Sequence, residues 1–268
     1  MIKNEIKIFL TSVMFYTRIP CPSFIDHSED YLNKATKYFP LIGIIVGSIS
    51  FLLFWLSNLI FNEHISIIIS IGTGIFITGA FHEDGLADTF DGFGGGWTKD
   101  RILEIMKDSS IGTYGAISLI VTLLLKVFVM VSLFSQIKIY NNDNYELLIF
   151  LIFITYHSLS RLSSINLVFT SEYSRNDSLS KTKPVAKKSN YKEIIVAYFW
   201  GLIPLFTISF FIPLYLVTIL FVAIFSFSSS RYFTKKLDGY TGDCLGAVEQ
   251  LSEVICLIFF LLILSLLI

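Results

Sequence analysis

Apolar runs long enough to cross a bilayer recur along the chain. They lie at Tyr38–Phe61, His64–Phe81, Thr113–Phe134, Tyr145–Phe169, Ile194–Ile212, Leu214–Ser230 and roughly Gly246–Ile268. A spanning helix needs about 20 mainly apolar residues at a rise of about 1.5 Å each. The pattern therefore predicts an all-α, polytopic integral membrane protein with about seven transmembrane helices. Pro213 separates the fifth and sixth runs, and proline lacks the amide needed to continue a helix, so a tight hairpin is expected there. The segment Glu5–Thr17 is too short to cross and is punctuated by Lys3 and Lys7. It reads as an interfacial or re-entrant helix rather than a cleaved signal, because no small-residue cleavage site follows. No Ser/Gly-rich linker or internal repeat divides the chain, which is read as one membrane domain over residues 1–268.

The polar positions between these runs set the orientation. Residues 1–37, 82–112, 170–193 and 231–244 hold five, three, six and three Lys or Arg, which is 17 of the 20. The opposite loops hold only Lys138, while Lys126 and Arg161 fall inside spans. Basic residues concentrate on the cytoplasmic side of membrane proteins, so the N-terminal segment 1–37 and an acidic loop over 82–112 are expected in the cytoplasm. The basic residues of Lys181–Lys192 either set this topology or hold an anionic lipid or phosphorylated ligand.

Composition narrows the class without changing it. The 268 residues are 54% hydrophobic and 15% charged, whereas a soluble domain carries about a quarter charged residues. Disorder, collagen and disulfide scaffolds are excluded, and an ordinary soluble enzyme does not fit. Cys21, Cys244 and Cys256 are scattered with no metal-ligand spacing. A net charge of −1 gives no case for nucleic-acid binding.

The chemistry concentrates in Phe81–Asp108, FHEDGLADTFDGFGGGWTKDRILEIMKD. Asp84, Asp88 and Asp91 stand at i, i+4 and i+7, which places three carboxylates within about a 60° arc of one helical face. Like charges so stacked repel unless a cation neutralises them, and Mg²⁺ favours a few carboxylates together with substrate phosphate oxygens. A solvated acidic surface is the plainer reading. The regular spacing, the interleaved Leu86, Phe90 and Phe93, and the adjoining membrane, where unpaired charge is costly, favour a metal–phosphate site. Arg101, Glu104 and Asp108 share a further face. His82 lies about 160° around the helix from Asp84 and ranks below the aspartates as a ligand.

A second acidic segment, Leu237–Glu253 (LDGYTGDCLGAVEQLSE), leads into the last span. Asp238 and Asp243 sit among glycines, and Glu249 and Glu253 follow at i, i+4. A helix N-terminus favours acids, which accounts for Asp243 better than for Glu253. Carboxylates entering hydrocarbon usually face a site or a water-filled cavity, so this segment is read as a second half of the site. Arg161, inside the fourth span, fits either an internal ion pair or bidentate phosphate binding. Lys126 is expected to pair internally, and His27, His64 and His157 are expected to be structural.

At these residues the sequence resembles the cobalamin synthase, or adenosylcobinamide-GDP ribazoletransferase, family of integral membrane proteins, over nearly the whole chain. The resemblance rests on FYTRIPCP at 15–22, GAFHEDGLADTFDGFGGG at 79–96 and RILEIMKDSSIGTYGAISL at 101–119. It continues through Ser160–Arg161, the YSR at 173–175 and GYTGDCLGAVEQLSE at 239–253. The chain departs from the family at Asp177–Ser180, where Asp-Ser-Leu-Ser stands in place of a glycine-bearing stretch. The resemblance implies transfer of the cobinamide phosphate of adenosylcobinamide-GDP to α-ribazole or its 5′-phosphate, with release of GMP and a requirement for Mg²⁺. It implies a location in the cytoplasmic membrane of a prokaryote, and it is compatible with an oligomer.

On that reading Asp84, Asp88 and Asp91 hold the metal across the diphosphate. Asp108, Asp243 or Glu253 completes the shell or accepts the hydroxyl proton, and Arg18, His82, Arg101, Lys107, Arg161 and Arg175 are the substrate-binding candidates. The DGxxAD pattern is also similar to that of the CDP-alcohol phosphatidyltransferases, but their Arg after the Ala and their later acidic half are missing here. A membrane phosphotransferase on another nucleotide-diphosphate substrate is the alternative enzyme. An ion-coupled transporter would need its carboxylates near the bilayer midplane, a pattern only Glu249 and Glu253 approach.

Overall fold

In the computed structural model, which describes residues 2–23, 25, 28–174 and 190–268, eleven helices are described: α1 (Ile2–Tyr16), α2 (Glu29–Ala35), α3 (Phe39–Asn58), α4 (Glu63–Thr78), α5 (Phe81–Gly95), α6 (Lys99–Ile105), α7 (Thr113–Tyr140), α8 (Tyr145–Thr170), α9 (Tyr191–Ser209), α10 (Thr218–Leu237) and α11 (Gly242–Ser265). Among the described residues there is no strand, only an isolated bridge between Tyr173 and Tyr240. Arg175, His27, Asp177–Ser180 and most of the basic 181–192 segment lie outside the described residues.

The bundle is organised around α8. Its apolar window is 94% buried, against 33% for α7 and α9 and 28% for the α10 span. The polar residues of α8, among them His157, Ser160 and Arg161, are buried with its apolar ones, as polar groups in a membrane bundle usually are. The helix is enclosed by α3, α9, α10 and α11. The helices outside it turn apolar rows outward, such as Ile117, Ile120, Leu124 and Phe128 on α7 and Leu220, Ile224 and Phe227 on α10. Such rows suit lipid tails, which are as apolar as leucine. On α3, Gly43 and Gly47 at four-residue spacing admit the α8 backbone: a Cβ at Gly47 would stand 2.6 Å from Phe153 O. Small residues so spaced let membrane helices approach closely.

Six helical segments are long and apolar enough to cross a membrane, and α4 and α5 pass the same test only as a pair bent by 88°. Seven predicted runs thus become six straight spans and one broken or re-entrant element. The break lies at Gly79 and Ala80, with φ of 68° and 57°. The left-handed region is easy for glycine and uncommon for alanine. The stretch 82–112, expected as a loop, is mostly helical, as α5 and α6. The tight connection at Pro213 is present as a 3₁₀ turn, Pro213–Val217. The α10 helix runs on to Leu237, beyond the apolar window, through Arg231, Lys235 and Lys236. α1 is anchored where Lys37 Nζ lies 2.7 Å from Glu5 Oε2.

Candidate active site

The α4–α5 elbow turns α5 across the end of the bundle, packed on α11 and α7. His82, Glu83, Leu86, Ala87 and Thr89 face inward. Asp84 is exposed and Asp88 half-buried, while Asp91, also half-buried, turns its carboxylate toward the start of α7. The inner face meets α11 by backbone contact. A Cβ at Gly85 would stand 2.8 Å from Asp243 O, and one at Gly246 would stand 2.9 Å from His82 O. Only glycine permits that approach, and it seats Asp84 and Asp88 beside the first turn of α11, which contains Asp243. Asp243 accepts from Thr241 Oγ1 at 3.3 Å.

Asp91 takes a different part. Its two oxygens accept the amides of Gly112 at 2.7 Å and Gly115 at 2.8 Å. Those amides open α7, whose N-cap, Gly112, has no side-chain oxygen of its own. Helix N-termini leave unsatisfied amides and favour negative charge, so Asp91 caps α7 from α5 and ties the two helices together.

The remaining expected residues fall into two groups. Arg18, Arg101, Lys107 and Asp108 are exposed at the rim. The Arg18 side chain lies against Gly79 and its amide donates to Ile77 O at 2.7 Å, which places Arg18 on the elbow. Arg101 pairs with Glu104 at 2.7 Å. The Ser110 amide, at 2.9 Å, and its hydroxyl donate to the Asp108 carboxylate and hold it below the usual carboxylate range.

Arg161, His82 and Glu253 instead lie inside the bundle. Arg161 Nη1 is 2.8 Å from Glu249 Oε1 and 3.5 Å from Glu253 Oε1. Glu253 also meets Lys126 Nζ at 2.6 Å and His157 Nδ1 at 2.7 Å, while Lys126 donates to Gln250 Oε1. His82 Nδ1 lies 3.7 Å from Glu249 Oε2, linking α5 to this network. Lys126 is paired internally, as expected. His157, expected to be structural, has its partner Glu253 on another helix, a pairing that local sequence does not show. The usable signal was that His157 and Arg161 on α8, and Glu249 and Glu253 on α11, are both i, i+4 pairs of complementary chemistry.

His157, Glu249 and Glu253 are the one set of three His, Cys, Asp or Glu among the described residues whose ligand atoms lie within 4.8 Å of one another. Lys126 and Arg161 already neutralise these carboxylates, which makes the set an ion-pair network. The cavity beside it measures only about 20 Å³, too small for any nucleotide, whereas α5 offers oxygen ligands on an open face. Two layers result: a neutralised interior that fixes the helices and an acidic exterior that can meet a charged substrate.

Known proteins resemble this chain over most of its length. Residues 8–261 match the family described as cobalamin-5-phosphate synthase. The adenosylcobinamide-GDP ribazoletransferase of Shewanella frigidimarina is 40% identical over 261 residues, covering 94% of this chain and 93% of the relative. Relatives of the same name in Shewanella oneidensis and Shewanella sp. W3-18-1 are 39% and 38% identical, over 94% and 98% of this chain and 93% and 97% of their own. No solved structure matches.

Proposed function

The chain belongs to the cobalamin-5-phosphate synthase family, and from that premise we propose that it transfers the cobinamide phosphate of adenosylcobinamide-GDP to α-ribazole or its 5′-phosphate. The products are adenosylcobalamin or its phosphate, and GMP. The observation that carries the reading is the outward carboxylate row of α5, set beside the Asp243 turn of α11 by the Gly85–Gly246 contact. A ribazole hydroxyl forms the new P–O bond at the phosphorus next to the cobinamide arm. The diphosphate P–O bond breaks, GMP leaves with the electron pair, and the hydroxyl proton passes to a carboxylate.

The donors on this face are hard oxygens, which suit Mg²⁺ and not a softer metal. Asp84 and Asp88 would hold it, with Asp243 close by, while both Asp91 oxygens already serve α7. Bound there, the ion would neutralise charge on the diphosphate. Everything else is positioning by the chain itself. Arg18 at the elbow and Arg101 and Lys107 on and just after α6 are exposed cations placed to meet phosphate oxygens. Asp108, whose carboxylate accepts the Ser110 amide, and Asp243 are the candidates to accept the hydroxyl proton. Glu253, bound by Lys126 and His157, acts from within by holding α11. The basic residues around the acidic face support a cytoplasmic location for it, where nucleotide substrates are found.

Asp88→Asn keeps the shape of α5 and removes one charge of the row. We expect at least a hundredfold loss of GMP release from the purified variant, with wild-type expression and membrane insertion. An Asp88→Asn protein of normal activity would contradict the assignment of this face.

A further inference from the structure

A second concavity adjoins the carboxylate row. A cavity of about 480 Å³ lies between α5, α7, α10 and α11, within the size range of small-molecule sites. Its walls include Phe90 and Phe93 from α5, Tyr114 from α7, and Phe225, Tyr232 and Phe233 from α10. We propose that this cavity receives the flat, uncharged heterocycle of the acceptor nucleoside and is the acceptor subsite of the reaction. The inference rests on the transfer reaction proposed above and names where one of its two substrates binds.

Three observations carry it. The first is the aromatic wall: Phe93 stacks on Phe233 with centroids 5.7 Å apart and meets Tyr232 at 5.1 Å. Aromatic faces so arranged favour a planar ring offset against them. The second is Thr89, which lines the cavity and is 5% exposed. Among the described residues its Oγ1 has no hydrogen-bond partner. Buried hydroxyls are normally satisfied, so this one points to a ligand with a polar atom. Ser228 and Ser229 add hydroxyls to the same wall. A lipid acyl chain would fill the space but offer nothing to these groups.

The third observation is position. Tyr114 is in the first turn of the α7 helix that Asp91 caps, and Ala247 and Val248 follow closely on Asp243 in α11. Thr89 is the chain neighbour of Asp88. A base seated in the cavity therefore leaves its sugar at the carboxylate row, where the hydroxyl must be delivered.

The test measures equilibrium binding of α-ribazole to the purified full-length protein in detergent, without the second substrate. Ser228→Trp fills the cavity from an exposed lining position, and Ser229→Leu is a second filling variant should the first not fold. Thr89→Val keeps the side-chain shape and removes the hydroxyl. Expected are saturable binding to wild type, at least tenfold weaker binding to the filled variant and a several-fold loss in Thr89→Val. In turnover the acceptor KM rises while the KM for adenosylcobinamide-GDP stays within twofold. The proposal is overturned by unchanged α-ribazole binding in folded filled and Thr89→Val proteins, or by parallel rises in both KM values. Bound phospholipid that α-ribazole does not displace from the cavity overturns it too. Wild type that binds α-ribazole there yet releases no GMP supports the subsite and contradicts the reaction. Wild type that releases GMP while the folded filled variants bind normally contradicts the subsite alone.

Discussion

Asp84, Asp88 and Asp91 look equivalent in sequence, but Asp91 has a part of its own at the start of α7. Asp91 bonds both Gly112 and Gly115 amides, and losing a helix cap costs about 0.5–2 kcal/mol. Asp91→Ala is therefore expected to lower the melting temperature by a few degrees, a change that differential scanning fluorimetry detects. A second residue-scale consequence concerns Lys126, which is buried with Glu253. Removing one partner of a buried pair typically costs about 3–5 kcal/mol, because the other charge is left without compensation. Lys126→Met should sharply reduce the yield of folded protein, and adding Glu253→Gln should restore part of it, as size-exclusion recovery would report. The carboxylate row was readable from spacing alone. The network was not, because Lys126 and Glu253 are 127 positions apart and nothing local couples them.

At the scale of elements, the spans were legible because bilayer thickness dictates their length. The elbow was not, since an alanine at positive φ leaves no mark in the sequence. Nor was the tail of α10, whose charged last turn lies outside the apolar window yet continues the helix. The 82–112 segment looked like a loop because it is polar, while its helical spacing already implied the ordered face that α5 presents. The joint between α5 and α11 depends on bare backbone. Gly246→Ala places a methyl 2.9 Å from His82 O and 3.2 Å from Gly85 Cα, which pushes the carboxylate row away from Asp243. Turnover should fall at least tenfold while the spans still insert. Gly242→Ala, where a Cβ meets nothing within 4 Å, is the matched control and should keep its activity. Equal activity in the two variants would remove the close contact from the account.

Over the whole molecule, 15% charged residues are sorted by position. Of the 20 basic residues 17, and of the 21 acids 16, lie in the four polar segments that the alternation of spans puts on one side. The near-zero net charge thus describes an apolar body with a charged end, with ion pairs also buried inside the bundle. The interior cavity beside the ion pairs, about 20 Å³, is too small for a large, charged substrate, which suits the acidic outer face. Its chemistry follows from carboxylates that need a counter-ion and from a substrate that supplies phosphate. The most direct test follows GMP release by the purified full-length protein in detergent, given adenosylcobinamide-GDP, α-ribazole and Mg²⁺. The account predicts GMP only when all three are present together, and no GMP above the metal-free control would contradict it.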